Sequence, residues 1–243
     1  MTPQWELPPG VHAFCSERAG GVSAAPYDTL NLGDHVGDDP LAVAENRRRL
    51  AAQLHARPVF LKQVHGRGVV RLESGTPDGT EADACWTSER GIACTMMVAD
   101  CLPVLLCADD GALLGAAHCG WRGLAGGVVE ALWAAMAGAG AGTARAWLGP
   151  CIGPEAFEVG PEVREAFVRG DAGALACFRP HGEGKFLADL PALARRRLAA
   201  LGISGVAGND GTRPWCTVAN PSRFFSHRRD RVSGRFAAGL WRA

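Results

Sequence analysis

The 243-residue sequence has no excess of either charge: 25 Lys and Arg are matched by 25 Asp and Glu. That removes a general electrostatic drive towards nucleic acid or an anionic membrane. It lacks a Cys-X-X-Cys pair. Its nine cysteines are odd in number and set mostly in apolar runs, with Cys85, Cys94, Cys107 and Cys177 reading as small buried hydrophobes. Free thiols in a reducing cytoplasm are therefore expected, not a disulfide framework. The opening Thr2-Pro-Gln-Trp-Glu6 has no basic stretch followed by an apolar one, so no secretory leader is expected. Repeats, low-complexity tracts and long linkers are also missing, and residues 1–243 read as one domain. The one long apolar stretch, Gly123 to Gly142, carries Glu130 as its sole charge. Its stripe of Leu124, Val128, Leu132 and Met136 predicts a helix packed closely on a sheet, not a membrane span. Three short basic clusters, at Arg47, Arg195 and His227, read as solvated helix or loop faces.

What is present points to an α/β fold. Val11–Arg18 reads as a strand, followed by a turn-rich loop to Asp39. Asp39-Pro40 offers an N-cap and a first-turn proline to a helix reaching His55. Strands follow over Pro58–Val64, Gly68–Glu73 and Ala82–Thr87, with His65-Gly66-Arg67-Gly68 as an intervening turn. Gly91–Cys107 and Leu113–His118 have the continuous apolar and β-branched character of buried strands. A helix over Gly123–Ala139, a strand over Ala144–Leu148, a short helix from Pro161 and a longer one from Asp189 to Leu201 complete the pattern. Residues 215–242 read as loop and strand. The irregular alternation and hairpin-like pairs predict mixed sheets covered by helices, not a doubly wound parallel sheet.

The chemistry concentrates in three Gly-adjacent segments. His65 stands in Gln-Val-His-Gly, Cys101 in Ala-Asp-Cys-Leu-Pro and His118 in Ala-Ala-His-Cys-Gly-Trp-Arg-Gly. Two imidazoles and a thiolate suit a borderline-soft ion such as zinc, with one position left for water or substrate. The gaps are too wide for a local zinc finger, but three neighbouring strands or strand ends could bring the side chains together. Alternation along the strand turns Cys119 away from His118, which makes Cys101 the available thiol. Spacing alone is equally compatible with three structural side chains.

Further segments carry a resemblance. Arg18-Ala-Gly-Gly-Val-Ser, Leu30-Asn-Leu-Gly, Val36-Gly-Asp-Asp-Pro, Glu45-Asn-Arg, Ala82-Asp-Ala and Gly149-Pro-Cys-Ile-Gly join the three segments above. Together they resemble the multicopper-polyphenol-oxidase-like laccase-domain family. Its bacterial members are also called purine nucleoside phosphorylases or peptidoglycan editing factors. The resemblance runs from about Phe14 to Arg235. It implies zinc ligands at His65, Cys101 and His118, and a fold similar in outline to toxin-deamidase-like cysteine hydrolases. It also implies phosphorolysis of adenosine, inosine, guanosine and 5′-methylthioadenosine, and deamination of adenosine, with purine nucleosides and phosphate as the partners.

Within that expectation Arg47 is the candidate phosphate clamp, its rival role a solvated helix arginine. Asp83 is expected to orient a ligand imidazole or hold a proton, with turn capping as the alternative. Gln63 and Asn31 are candidates for bonding base or ribose, loop stabilisation being the plainer role for Asn31. Cys151 is expected in a tight turn lining the cleft, touching substrate or simply packing. The oxidase name fits less well. Seven histidines with no His-X-His pair do not form a multicopper centre, although copper is an adventitious occupant to expect of the trio. Two rival readings are a metal-free hydrolase, with His118 activating Cys101 towards an amide in cell-wall precursor editing, and a binding partner of cell-division or cell-wall proteins.

Overall fold

Two β-sheets pack face to face, and helices cover both outer surfaces. The computed structural model describes residues 2–243. In chain order its strands are β1 (Val11–Cys15), β2 (Arg57–Phe60), β3 (Val69–Arg71), β4 (Ala84–Thr87), β5 (Ile92–Val98), β6 (Leu102–Ala108), β7 (Leu114–Cys119), β8 (Ala144–Leu148), β9 (Glu158–Val159), β10 (Phe178–His181), β11 (Lys185–Ala188), β12 (Val206–Gly208) and β13 (Phe236–Arg242). The helices are α1 (Pro40–Leu54), α2 (Trp121–Ala125), α3 (Val128–Gly138), α4 (Pro161–Val168), α5 (Leu190–Ala200) and α6 (His227–Asp230). One sheet has the order β1-β13-β5-β2, the other β12-β8-β6-β7-β4-β3, and β10-β11-β9 form a small third sheet. Parallel pairs such as β2–β5 and β3–β4 sit beside antiparallel ones, so both large sheets are mixed.

The side-chain period of two explains the layering. Along β6, Leu102, Val104 and Leu106 face α3 and α5, where they meet Val128, Leu132 and Leu198. Leu105 and Cys107 face the other way and pack with Met96, Val98 and Leu240 of the four-stranded sheet. On that sheet's outer side Phe14, Phe60 and Met97 pack with Leu50 and Leu54 of α1. With both faces covered, β5, β6 and β7 are buried at every position, as their continuous apolar sequence predicts.

Helix boundaries follow local chemistry. Asp39 accepts from the Leu41 amide ahead of Pro40, and His55 ends α1 in the left-handed region. Asp189 caps α5 by accepting from the Ala192 amide. Two expected elements differ from the structure. The helix predicted over Gly123–Ala139 is two helices, α2 and α3, broken at Gly127 with φ of 91°. The apolar run Gly91–Cys107 is two strands belonging to different sheets, β5 and β6. The chain crosses from one sheet to the other through residues 99–101, and Asp100 adopts φ of 93° there. That crossing puts Cys101 where the two sheets meet. No helix among the described residues is long and apolar enough to cross a membrane.

Candidate metal centre

His65, Cys101 and His118 come together from three elements, with their ligand atoms all within 4.8 Å of one another. Strand register explains the meeting. In the β6–β7 pair, Pro103 lies opposite His118 and Leu102 opposite Cys119, so Cys101 falls just beyond the paired end, beside Gly120. His65 arrives from the β2–β3 loop in a left-handed backbone conformation, φ 60°. Two of the four described non-Gly residues with positive φ, His65 and Asp100, are thus at this site, a common location for backbone strain.

Asp83 joins the pieces. Its fully buried carboxylate accepts from the amides of Val64 (3.2 Å), His65 (2.9 Å) and Gly66 (2.6 Å), and from His118 Nδ1 (2.9 Å). The last bond leaves Nε2 as the ring nitrogen of His118 that faces Cys101, the arrangement usual for a metal-ligating histidine. Burial raises the Asp83 carboxyl, but the hydrogen bonds from His118 and the loop amides hold it below the ordinary carboxylate value.

Electrostatics prepare the sulfur. Burial pushes the Cys101 thiol up, but the His118 charge and hydrogen bonds from His118 and His65 bring it down to about 6. Burial pushes His118 down, yet the Cys101 thiolate and Asp83 raise it to about 9. Without metal, therefore, the pair is thiolate and imidazolium at neutral pH. Cys119 points into the helix-side core, where burial drives its thiol well above the ordinary value, consistent with its exclusion as a ligand.

The donors fit a single metal ion. Cys101 Sγ and His65 Nε2 are 3.6 Å apart, and metal–sulfur and metal–nitrogen bonds of 2.3 and 2.0–2.1 Å at a tetrahedral angle require roughly that edge. Gly120 leaves the space: a Cβ there would lie 2.8 Å from His65 Cδ2 and 3.0 Å from Cys101 Sγ. It is the one such cluster of three donors among the described residues. One thiolate with two imidazoles suits zinc and accepts copper.

The trio opens into a cavity of about 460 Å³, within the range of small-molecule sites. Trp121, Ile152, Phe157 and Leu190 give it apolar surface, while Asp100, His35 and Arg235 add polar groups. Asp100 receives Thr217 Oγ1 on one oxygen (2.5 Å) and the Arg228 amide on the other (2.6 Å), so its charge is already engaged.

The remaining expected site residues divide. Gln63 lines the cavity, but its amide makes a two-bond pair with the Met97 backbone. Arg47 is not brought to the cavity wall. Its guanidinium lies over Phe60, donates to Leu32 O and pairs with Asp34 at 3.2 Å. Asn31 is fully buried and ties Gly33, Asp38 and the Arg235 amide together. Cys151 is buried beside Asn209 and Cys216 behind the wall, and its neighbour Ile152 faces the cavity in its place. Sequence reading missed His35, Asp100, Trp121 and Arg235. It also assigned His227 and Arg228 to solvent, whereas both line the cavity mouth.

The fold and site define a single-domain α/β protein with a His-Cys-His cluster that could hold a metal ion, set in the wall of a cavity. Comparison places it further: the family described as "Multi-copper polyphenol oxidoreductase laccase" matches residues 12–243, and the chain belongs to that family. It is 50% identical over 242 residues to "Purine nucleoside phosphorylase PA4543" of Pseudomonas aeruginosa, covering 99% of this chain and 97% of the other. "Purine nucleoside phosphorylase YfiH" of Escherichia coli K12 is 49% identical, with 99% and 98% covered. Among solved structures, NMB0706 of Neisseria meningitidis matches with a TM-score of 0.91 at 44% identity, over 100% of this chain and 98% of that one. YlmD of Geobacillus stearothermophilus matches with a TM-score of 0.85 at 32% identity, over 96% and 92%.

Proposed function

We propose that this chain is a cytoplasmic, zinc-dependent purine nucleoside phosphorylase that also deaminates adenosine. The observation that carries the reading is the His65–Cys101–His118 cluster in the wall of a cavity with apolar surfaces. The names of the close relatives support the phosphorylase half. Bound to the trio, zinc supplies a Lewis acid with one exchangeable position.

The chain's own residues do the rest. Asp83 locks the His118 tautomer and holds the His65 loop, so the two imidazoles keep their aim. Trp121 and Phe157 give aromatic surface for a purine to pack against, and Ile152 and Leu190 exclude water from it. Gln63 shapes the floor by pinning Met97. In phosphorolysis a phosphate oxygen bonds to C1′ as the C1′–N9 bond breaks. The base leaves with the bond's electrons and takes up the proton that hydrogen phosphate brings. In deamination water replaces the C6 amino group, giving inosine and ammonia.

A second reading has its own observation: a Cys101 thiolate beside His118, itself held by Asp83, is also the arrangement of a cysteine nucleophile. Metal dependence separates the two. Metal-quantified protein is incubated with adenosine, with and without phosphate, and assayed for adenine, inosine and ribose 1-phosphate. Adenine and ribose 1-phosphate appearing only with phosphate, inosine appearing either way, and loss of all three after metal removal support the phosphorylase-deaminase. Metal-free protein acylated at Cys101 by a reactive amide analogue supports the hydrolase instead.

A further inference from the structure

We infer that Arg235, which lines this cavity together with His35, forms its phosphate-binding subsite. The inference rests on the phosphorylase reading and names the group that holds its second substrate.

Three arginines bear on this question, and their surroundings differ. Arg228 lines the cavity too, but its Nη1 is bonded to Glu158 O (3.1 Å) and its guanidinium lies against the Phe157 ring. Arg47 has Asp34 at 3.2 Å and Asp78 at 3.9 Å, and its Nε is bonded to Leu32 O. Arg235 lines the cavity with the trio. Its side-chain bonds all run through Nη1, to Ser233 O (2.9 Å), Gly234 O (3.1 Å) and Ser233 Oγ (3.4 Å). Nε and Nη2 have no partner, and no carboxylate among the described residues lies within ion-pair distance of it. A guanidinium is charged at every relevant pH and presents a planar fork that matches two oxygens of a tetrahedral oxyanion. Burial depresses its pKa, while the more distant charges of Cys101 and Asp100 oppose that, so its charge has no close compensation.

The fold builds a socket for this side chain. Asn31 Oδ1 accepts from the Arg235 amide at 2.8 Å and from the Gly33 amide at 2.9 Å. A Cβ at Gly33 would sit 2.7 Å from Arg235 Cγ, so the Asn-Leu-Gly segment admits the arginine stem only because residue 33 is glycine. The same loop carries His35 to the cavity rim. The His35 ring nitrogen Nδ1 lies 3.5 Å from the Asp34 carboxylate, and burial with the Arg235 charge lowers its pKa against that neighbour. Asn31 is thus a positioning residue that acts through Arg235.

The test is calorimetric titration of the full-length, metal-loaded protein with inorganic phosphate, without nucleoside. Wild-type protein is expected to bind saturably. Arg235→Gln is expected to lose at least tenfold in affinity with its metal content unchanged, and Arg235→Lys to fall between. Arg47→Gln should stay within about twofold, since its guanidinium is already committed. Undiminished binding by Arg235→Gln, or loss confined to Arg47→Gln, overturns the inference. Should Arg235→Gln not fold, histidine-selective NMR of the wild-type chain decides. Phosphate must shift the His35 ring resonances, and their constancy at saturation overturns the subsite.

Adenosine 5′-monophosphate is the second arm. A subsite for free phosphate holds phosphate and adenosine together. A chain that binds the monophosphate but rejects inorganic phosphate contradicts a co-substrate site. Failure of the function reading looks different: phosphate bound at Arg235 with no ribose 1-phosphate formed leaves the subsite and removes the phosphorylase. Phosphorolysis whose phosphate KM ignores Arg235→Gln does the reverse.

Discussion

The two polar walls of the cavity differ in how far their hydrogen bonding is already satisfied. On the metal wall, Asp83 accepts four hydrogen bonds and both histidine ligands are anchored to it, His65 through its amide and His118 through its ring. Elsewhere on the cavity wall, Arg235 keeps two donor nitrogens open, and His35 is exposed. A satisfied wall holds its geometry before anything binds, as a metal centre requires. An open wall takes its final order from the ligand, as befits a substrate contact.

Perturbing the metal wall should produce the largest effects. Cys101→Ala removes the thiolate and should abolish stoichiometric metal and lower phosphorolysis by about 10³-fold or more, read by metal analysis and ribose 1-phosphate formation. Asp83→Asn keeps the shape but loses the charge that orients His118. Metal affinity should fall about 10–100-fold, with about 1–3 kcal/mol of stability lost through weakened loop bonds, measured by chelator competition and denaturant unfolding.

The pH dependence of metal affinity follows from the thiolate–imidazolium pair. Between about 6 and about 9 the metal-free site holds deprotonated Cys101 and protonated His118. Metal binding then expels one proton, so affinity should rise about tenfold per pH unit across that window. It should level off above 9, where His118 is already neutral, and fall more steeply below 6, where Cys101 must also lose its proton. Chelator competition from pH 5 to 10 measures the slope. A flat profile between 6 and 9 breaks the assignment of His118 as a ligand.

Smaller effects sharpen the contrast. Gly120→Ala places a methyl against His65 and Cys101. It should weaken metal binding several-fold and cost about 1–3 kcal/mol of stability. Arg47→Gln, behind the cavity wall, should reduce stability by about 1 kcal/mol through its lost bond to Leu32 and leave the phosphate KM within twofold.

The metal wall was far more legible in the sequence than its counterpart, for a physical reason. Metal ligation demands rare residue types, and His65, Cys101 and His118 stand out beside glycines. Strand alternation then excludes Cys119, which the core confirms by burying it. Asp83 was legible in kind: orienting an imidazole and capping a turn were read as alternatives, and the structure has the one carboxylate do both. Arg235 was hidden because an arginine's role depends on what neutralises it. Asp34 and Asp78 commit Arg47, and nothing in a local segment reveals that. The contact that seats Arg235 joins Asn31 to a residue 204 positions away. The glycine of Asn-Leu-Gly was the available signal, a space left for something distant. Elements were legible where local chemistry decides them, as with Asp39-Pro40 opening α1. They were misread where tertiary structure decides, as in the Gly91–Cys107 run, whose continuous apolar character hides the crossing between sheets.

The central claim is that one metal ion sits on two imidazoles and one thiolate in this chain. X-ray absorption at the metal edge of purified protein tests it most directly. The expected result is one stoichiometric metal with a single sulfur at about 2.3 Å, two nitrogens at about 2.0–2.1 Å and one light-atom ligand. A shell without sulfur, or unchanged in Cys101→Ala, contradicts it.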